Sequence, residues 1–383
     1  MVFVSHELWL WSGGKLPTGH DVRVPNSSNA VTSYSAEFVR PVTAAIDLLG
    51  ECPLWDDQRN GLWWLDLKGL VVRFLPADSI NGDVGRKDAA PTTWEAPGLI
   101  GSIALCTDGT LLLAGSALWA FDPSAEQPFE ILASMPDSEL PTNRFNDGRV
   151  DRDGRFVVGT MDDGEKSRTG TQYRIDSIAA VATPQGLWSN VGIPNASCFS
   201  PDGRYGYWAD SWKPILHRYE TASPTDTRQE LGVVEGLGGP DGACVDAQGH
   251  IWLCVWGGSK LIRYRPDGTV ERVVPLPVER ATCATFGGED YGTLFITTAR
   301  NGFTEVQFAA QPLAGSVLAI ETDELWGIRG LPESRLVVAR NEDPVAKIES
   351  PPNRVGGFFQ GEVGVRDPNC WEASDELGEL FGT

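Results

Sequence analysis

One unit recurs six times along this chain: an apolar, strand-like run, a polar turn ending in glycine, and a second apolar run. It reads CPLWDDQRNGLWWLDL from Cys52, SIALCTDGTLLLAG from Ser102 and GRVDRDGRFVVGTM from Gly148. It returns as ASCFSPDGRYGYWAD from Ala196, GACVDAQGHIWLCV from Gly242 and CATFGGEDYGTLFITT from Cys283. The turn glycines are Gly61, Gly109, Gly154, Gly203, Gly249 and Gly292, separated by 48, 45, 49, 46 and 43 residues. A fixed period of this length marks a repeat architecture.

Each unit reads as a hairpin. Asp-Gly and related pairs supply the positive-φ positions that tight hairpin turns need. The flanks are rich in Val, Ile, Leu, Trp, Tyr and Phe, which suit pleated, half-buried strands. The period leaves room for two more strands per unit, such as LVVRFLP after the first and KLIRYRP after the fifth. Four strands repeated six times predict an all-β fold, a six-bladed β-propeller. A β-sandwich with evenly spaced turns is the competing reading. WD40 repeats share the period, but their Trp-Asp endings are absent.

Residues 41–336 are the expected propeller, with an N-terminal extension over 1–40 and a C-terminal one over 337–383. LWLW near the start and GGFF near the end are too apolar for pure linkers, so partial ordering is expected. Gly (43) and Pro (26) make up about a sixth of the chain, as many short strands joined by turns require. The net charge of −21 argues against nucleic-acid or anionic-membrane partners. The seven cysteines, Cys52, Cys106, Cys198, Cys244, Cys254, Cys283 and Cys370, are odd in number and form no C-x-x-C. Neither a zinc ribbon nor a disulfide framework follows. The first residues lack a basic segment and no apolar run is long enough to span a bilayer, so a cytoplasmic location is expected.

The repeat also supplies a phase. Gly101, Asn146, Asn195 and Asp241 each lie eight residues before their turn glycine, and Glu51 and Thr282 lie ten before theirs. These positions stand at the start of one strand per blade. If that strand is innermost, all six face one end of the central channel. Glu51, Asn195 and Asp241 offer hard oxygen donors for one divalent cation, with water completing the shell. Two carboxylates sharing such a place repel unless a cation lies between them. For any one residue, capping a turn is the simpler role; several in register across blades favour a site. Asp147, Asp153, Asp202 and Asp246 fall outside the phase, and Asp153 and Asp202 read as turn residues.

These blocks resemble the gluconolactonase, regucalcin and senescence-marker-protein family of six-bladed propellers. The anchors are LLGECPLWDD at Leu48, NRFNDGRVDRDGRFVVGTM at Asn143, PNASCFSPDGRYGYWADS at Pro194, PDGACVDAQGHIWLCVWGG at Pro240 and TCATFGGEDYGTLFITTAR at Thr282. GIRGLPESRL at Gly327 resembles the usual family ending. The resemblance implies metal ligands at Glu51, Asn195 and Asp241, the acid/base role at Asp241, and substrate contacts from Arg144 and Asn146. It implies a metal-dependent hydrolase that opens a sugar lactone of aldono-lactone type. For the metal, Ca²⁺ stands first, with Mg²⁺, Mn²⁺, Zn²⁺ or Fe²⁺ as alternatives. The substrate is then a small lactone, and the extensions could form an oligomer contact.

Two departures stand out. The usual Asn-Gly is Asn195-Ala196 here, and the added methyl is expected to narrow the pocket. Family members acting on sugar lactones often carry a Glu shortly after Gly-Thr-Met; here Met161 is followed by Asp162, Asp163, Gly164 and Glu165, which leaves that contact open. Two other functions remain open on these residues. One is different metal-dependent chemistry on the same scaffold, as phosphotriester hydrolysis or an isomerase or cyclase step. The other is a non-catalytic calcium-binding propeller. No G-x-S-x-G elbow, P-loop or Rossmann fingerprint is present.

Overall fold

A computed structural model describes residues 32–33, 38–80, 90–180 and 183–338. Most of the expected N-terminal extension and all but residues 337 and 338 of the C-terminal one lie outside these residues, as does Cys370.

Six antiparallel sheets form the six blades, and each strand in a blade pairs with the one before it. The inner strands are Gly50–Asp56, Ile100–Leu105, Asn143–Val150, Pro194–Phe199, Gly239–Val245 and Ala281–Gly287. Each packs on the inner strand of its two neighbours, and the sixth meets the first, so the ring closes. The sixth blade is completed from the other end of the chain: Arg40–Pro41 pairs with Leu318–Glu321 as its outer strand. Thr32–Ser33 adds a fifth, parallel strand outside blade 5. A sheet ring that borrows one strand from the far end of the sequence leaves no open seam.

The core is distributed over the gaps between blades. One buried apolar cluster fills each of the six gaps. Side-chain alternation in the strand Gly61–Asp66 shows why. Trp63 and Leu65 pack towards blade 2, whereas Leu62 and Trp64 pack towards blade 6. Strands buried on both faces therefore read as unbroken apolar runs. Cys52, Cys106, Cys198, Cys244, Cys254 and Cys283 are free and buried, as small apolar side chains.

One end of the channel is crossed by the last described residues. Glu333 accepts from Arg149 Nη1 at 2.8 Å and from Thr285 Oγ1 at 2.7 Å. Arg335 donates to Asp56 at 2.8 Å, and Leu336 bridges Cys106. This segment thus ties several blades together across the end of the axis. Among the described residues, no helix is long and apolar enough to cross a membrane.

Candidate active site

The six phased residues do sit on the inner strands, at the end away from that crossing segment. Their local geometry is of two kinds. Every inner strand shifts register against its partner once, by a bulge. In blades 1 and 4 the phased residue is the last one paired before the bulge: Glu51 opposite Leu65, Asn195 opposite Ala209. The next residue is left-handed, Cys52 at φ 47° and Ala196 at φ 60°. In blades 3, 5 and 6 the phased residue is itself the first unpaired one, as Asn146, Asp241 and Thr282. Bulges re-aim side chains and commonly do so beside functional sites.

A hydrogen-bond chain fixes the amides. Arg144 Nη1 donates to Asn146 Oδ1 at 2.7 Å and to Phe145 O at 3.1 Å. Asn146 Nδ2 donates to Asn195 Oδ1 at 3.1 Å and to Pro194 O at 3.0 Å. Asn195 Nδ2 donates to Ser211 Oγ at 2.8 Å, and Ser211 Oγ donates to Pro240 O at 2.6 Å. Both amide orientations follow from this chain, because each nitrogen already faces an acceptor. Asn195 Oδ1 keeps a lone pair for a further partner.

The carboxyl groups are the electrostatic problem of the site. Burial first, and then the charge of Asp147, push the Glu51 carboxyl up to about 8, against the opposing pull of Arg144. Burial, Glu51 and Asp147 push Asp241 well above the usual carboxylate range. Asp147 is also raised by burial, although it accepts from the Ser197 N–H at 2.7 Å. Three acids therefore share one place, Asp241 buried and Glu51 and Asp147 half-buried, with the charges of Arg144 and Arg149 and backbone N–H groups opposing them. Among the described residues, no three His, Cys, Asp and Glu side chains are set closely enough to hold a metal by themselves. The donor set that fits a cation is mixed: two carboxylates, the Asn195 amide oxygen and water. That set matches a hard divalent ion, which would also relieve the mutual repulsion.

The other phased positions play supporting roles. Thr282 Oγ1 donates to Gly50 O at 2.6 Å and lies 2.8 Å from Thr297 Oγ1, so its hydroxyl is engaged between blades. Gly101 is small because a Cβ there would lie 2.6 Å from Phe145 O and 2.8 Å from Asn146 Cα. Asp147 is the residue the phase left out. The blade 3 bulge leaves both Asn146 and Asp147 unpaired, so both can turn inward. Its place one residue past the phase gave no signal in the sequence; the bulge is what brings it to the same height. Asp246, by contrast, caps its own turn and accepts from Trp252 and Arg263.

The methyl of Ala196 does not narrow the pocket. Ala196 is fully buried and packs between blades 4 and 5 with Cys198, Ala209 and Ala243. The segment after Met161 divides its acids. Asp162 accepts from the backbone of Lys166 at 3.0 Å, closing the loop. Asp163 takes Arg144 Nε at 2.7 Å and Lys68 at 3.5 Å. Glu165 is exposed at φ 53°, and its charge still reaches Asp241. An open cleft lies between blades 2 and 3, with Leu99, Leu140, Asp163 and Arg144 in its walls.

Comparison with known proteins defines the class. Residues 49–300 match the SMP-30/gluconolactonase/LRE-like region, and the chain belongs to that family. A 6-deoxy-6-sulfogluconolactonase of Pseudomonas putida is 34% identical over 290 residues, 74% of this chain and 94% of that protein. An L-arabinolactonase of Azospirillum brasilense is 33% identical over 284 residues, 72% of this chain and 88% of that protein. Among solved structures, a calcium-binding regucalcin of Agrobacterium tumefaciens superposes with a TM-score of 0.69 at 28% identity, covering 80% of this chain and 98% of that one.

Proposed function

We propose that this protein hydrolyses a sugar lactone with a divalent cation held by Glu51, Asn195 and Asp241. The observation that carries this reading is the meeting of half-buried Glu51 with buried Asp241, each raised by desolvation and by a neighbouring acid, beside an amide oxygen with a free lone pair. The names of the lactonase relatives set the substrate class. Ca²⁺ is the first candidate, on the donor set and on the calcium-binding neighbour.

Bound there, the cation supplies Lewis-acid polarisation of the lactone carbonyl and compensates charge as it develops on oxygen. The chain's own residues do the rest. Asp241 takes a proton from the attacking water as the new C–O bond forms. It returns that proton to the ring oxygen as the lactone C–O bond breaks, giving the open hydroxy acid. Asn146 offers a substrate contact whose direction is set by Arg144 and Asn195. Arg144 itself is clamped by Asp163, so it presents a fixed edge to substrate hydroxyls.

The test is lactone hydrolysis by purified protein with and without chelator, and in Asp241→Ala. Chelator-sensitive turnover that Asp241→Ala abolishes supports the proposal. Turnover that survives both treatments removes it, and cation binding without lactone turnover would point to a binding propeller instead.

A further inference from the structure

The bulge of blade 3 recurs in the same register in blade 6. Phe145 pairs with Thr160 before a shift that ends at Gly148. Ala281 pairs with Thr298 before a shift that ends at Ala284. Arg280 therefore stands in blade 6 where Arg144 stands in blade 3. Blades 3 and 6 are three apart in a ring of six, so the two arginines stand on inner strands at opposite sides of the axis. The matching residues of the other blades are Gly50, Leu99, Pro194 and Gly239, none of them charged.

The two guanidinium groups are used differently. Arg144 is committed to Asp163, Phe145 O and Asn146 Oδ1. Arg280 is held mostly by rings: its guanidinium carbon lies 4.5 Å from the Phe303 centroid and 5.1 Å from that of Trp256. Its Nη1 donates to Asn301 O at 2.6 Å, and its Nε has no hydrogen-bond partner. Glu279 forms a long ion pair with Nε at 3.7 Å, and Gln311 donates to the other oxygen of that carboxylate at 3.4 Å. The side chain is partly exposed, and a guanidinium fixed between aromatic faces is preorganised for an oxyanion.

Resting on the lactonase reading, we infer that Arg280 is a specificity residue: it receives an anionic group, a carboxylate or similar oxyanion, that the lactone carries on the side away from Arg144. The ring oxygen and carbonyl then lie over Asp241 and Asn146, and the charged end of the substrate reaches across to blade 6. Neutral aldono-lactones use the same centre without this contact.

The experiment compares wild type, Arg280→Met and Arg280→Lys on D-glucono-1,5-lactone and on D-glucaro-1,4-lactone, which carries a carboxylate. Arg280→Met is expected to raise KM for the glucaro-lactone at least tenfold and to leave kcat/KM for the neutral lactone within threefold, with Arg280→Lys between. Equal losses on both substrates, or no change on either, overturn the inference. Calorimetric binding of D-glucarate decides the matter separately from turnover. If wild type hydrolyses neither lactone, the proposed function fails. The role of Arg280 then stands only if wild type binds D-glucarate and Arg280→Met weakens that binding at least tenfold. Thermal melts check folding, and Arg280→Gln replaces the Met variant if that one does not fold.

Discussion

Asp47→Asn is expected to change how stability varies with pH. Asp47 is fully buried at the junction where blade 6 meets blade 1. It accepts from Trp64 Nε1 at 2.8 Å and from Arg73 Nε at 2.8 Å. Two effects compete there. Burial raises the carboxyl and Arg73 lowers it; burial wins, and Asp47 is pushed from 3.8 up to about 6. The folded protein thus holds this proton more tightly than the unfolded chain does. Its stabilising contribution is complete below pH 3.8 and is lost as pH rises through about 6. A shift of about two units corresponds to about 3 kcal/mol at neutral pH. The amide of the variant keeps an acceptor oxygen for these donors and cannot titrate. The stability of the variant relative to wild type should therefore rise by about 3 kcal/mol between pH 4 and 7 and stay level above that. With an unfolding entropy of about 2.1 cal/mol/K per residue over about 300 residues, this is about 5 °C in relative Tm. Urea titrations or melts of both proteins at half-unit pH steps give the difference, in which the other carboxylates cancel. A pH-independent difference, or one that grows as pH falls, would mean that the Arg73 pair outweighs burial, and the reasoning would be refuted.

Three further outcomes are expected. Ca²⁺ at about 100 times its Kd should stabilise chelator-treated protein by about 2.7 kcal/mol, or about 4 °C in Tm, and Glu51→Gln or Asp241→Asn should abolish the response; an unresponsive wild type in calorimetric melts would count against the cation site. Arg144→Ala frees the Asn146 amide to rotate, so kcat/KM for the lactone should fall about 100-fold, with a change in Tm of only a few degrees; unchanged kinetics would dissociate the network from the reaction. Ala196→Gly relieves a left-handed alanine but removes a buried methyl, two effects of about 1 kcal/mol each and opposite sign. Its stability should stay within about 1 kcal/mol of wild type and its KM should not move; a lowered KM would return that methyl to the pocket.

The blade count was legible because turn glycines and apolar runs are local features that each repeat must carry for itself. The axial set was legible for a related reason. A repeat places equivalent residues at equivalent heights, so Glu51, Asn195 and Asp241 could be aligned by counting. Counting fails where the backbone departs from the repeat. The bulges fall one residue apart in different blades, so Asp147 enters the site from a position that the phase excludes. The same departure put the methyl of Ala196 into the core, because Ala196 is itself left-handed and unpaired in the bulge, so its Cβ does not follow the strand's alternation.

What the sequence determined by itself, then, is the period, the strand chemistry and which polar residues recur at one height. These depend on hydrogen bonding and burial within single hairpins. What the tertiary structure decided is whatever needs two distant blades to meet. Ring closure needs Arg40–Pro41 to reach Leu318–Glu321. The raised carboxyls need Glu51, Asp147 and Asp241 to converge from blades 1, 3 and 5. The placing of Arg144 and Arg280 on opposite blades needs six blades rather than five or seven. Electrostatic coupling falls with distance through space, not along the chain, so a count along the sequence aligns such residues but cannot say how strongly they act on one another.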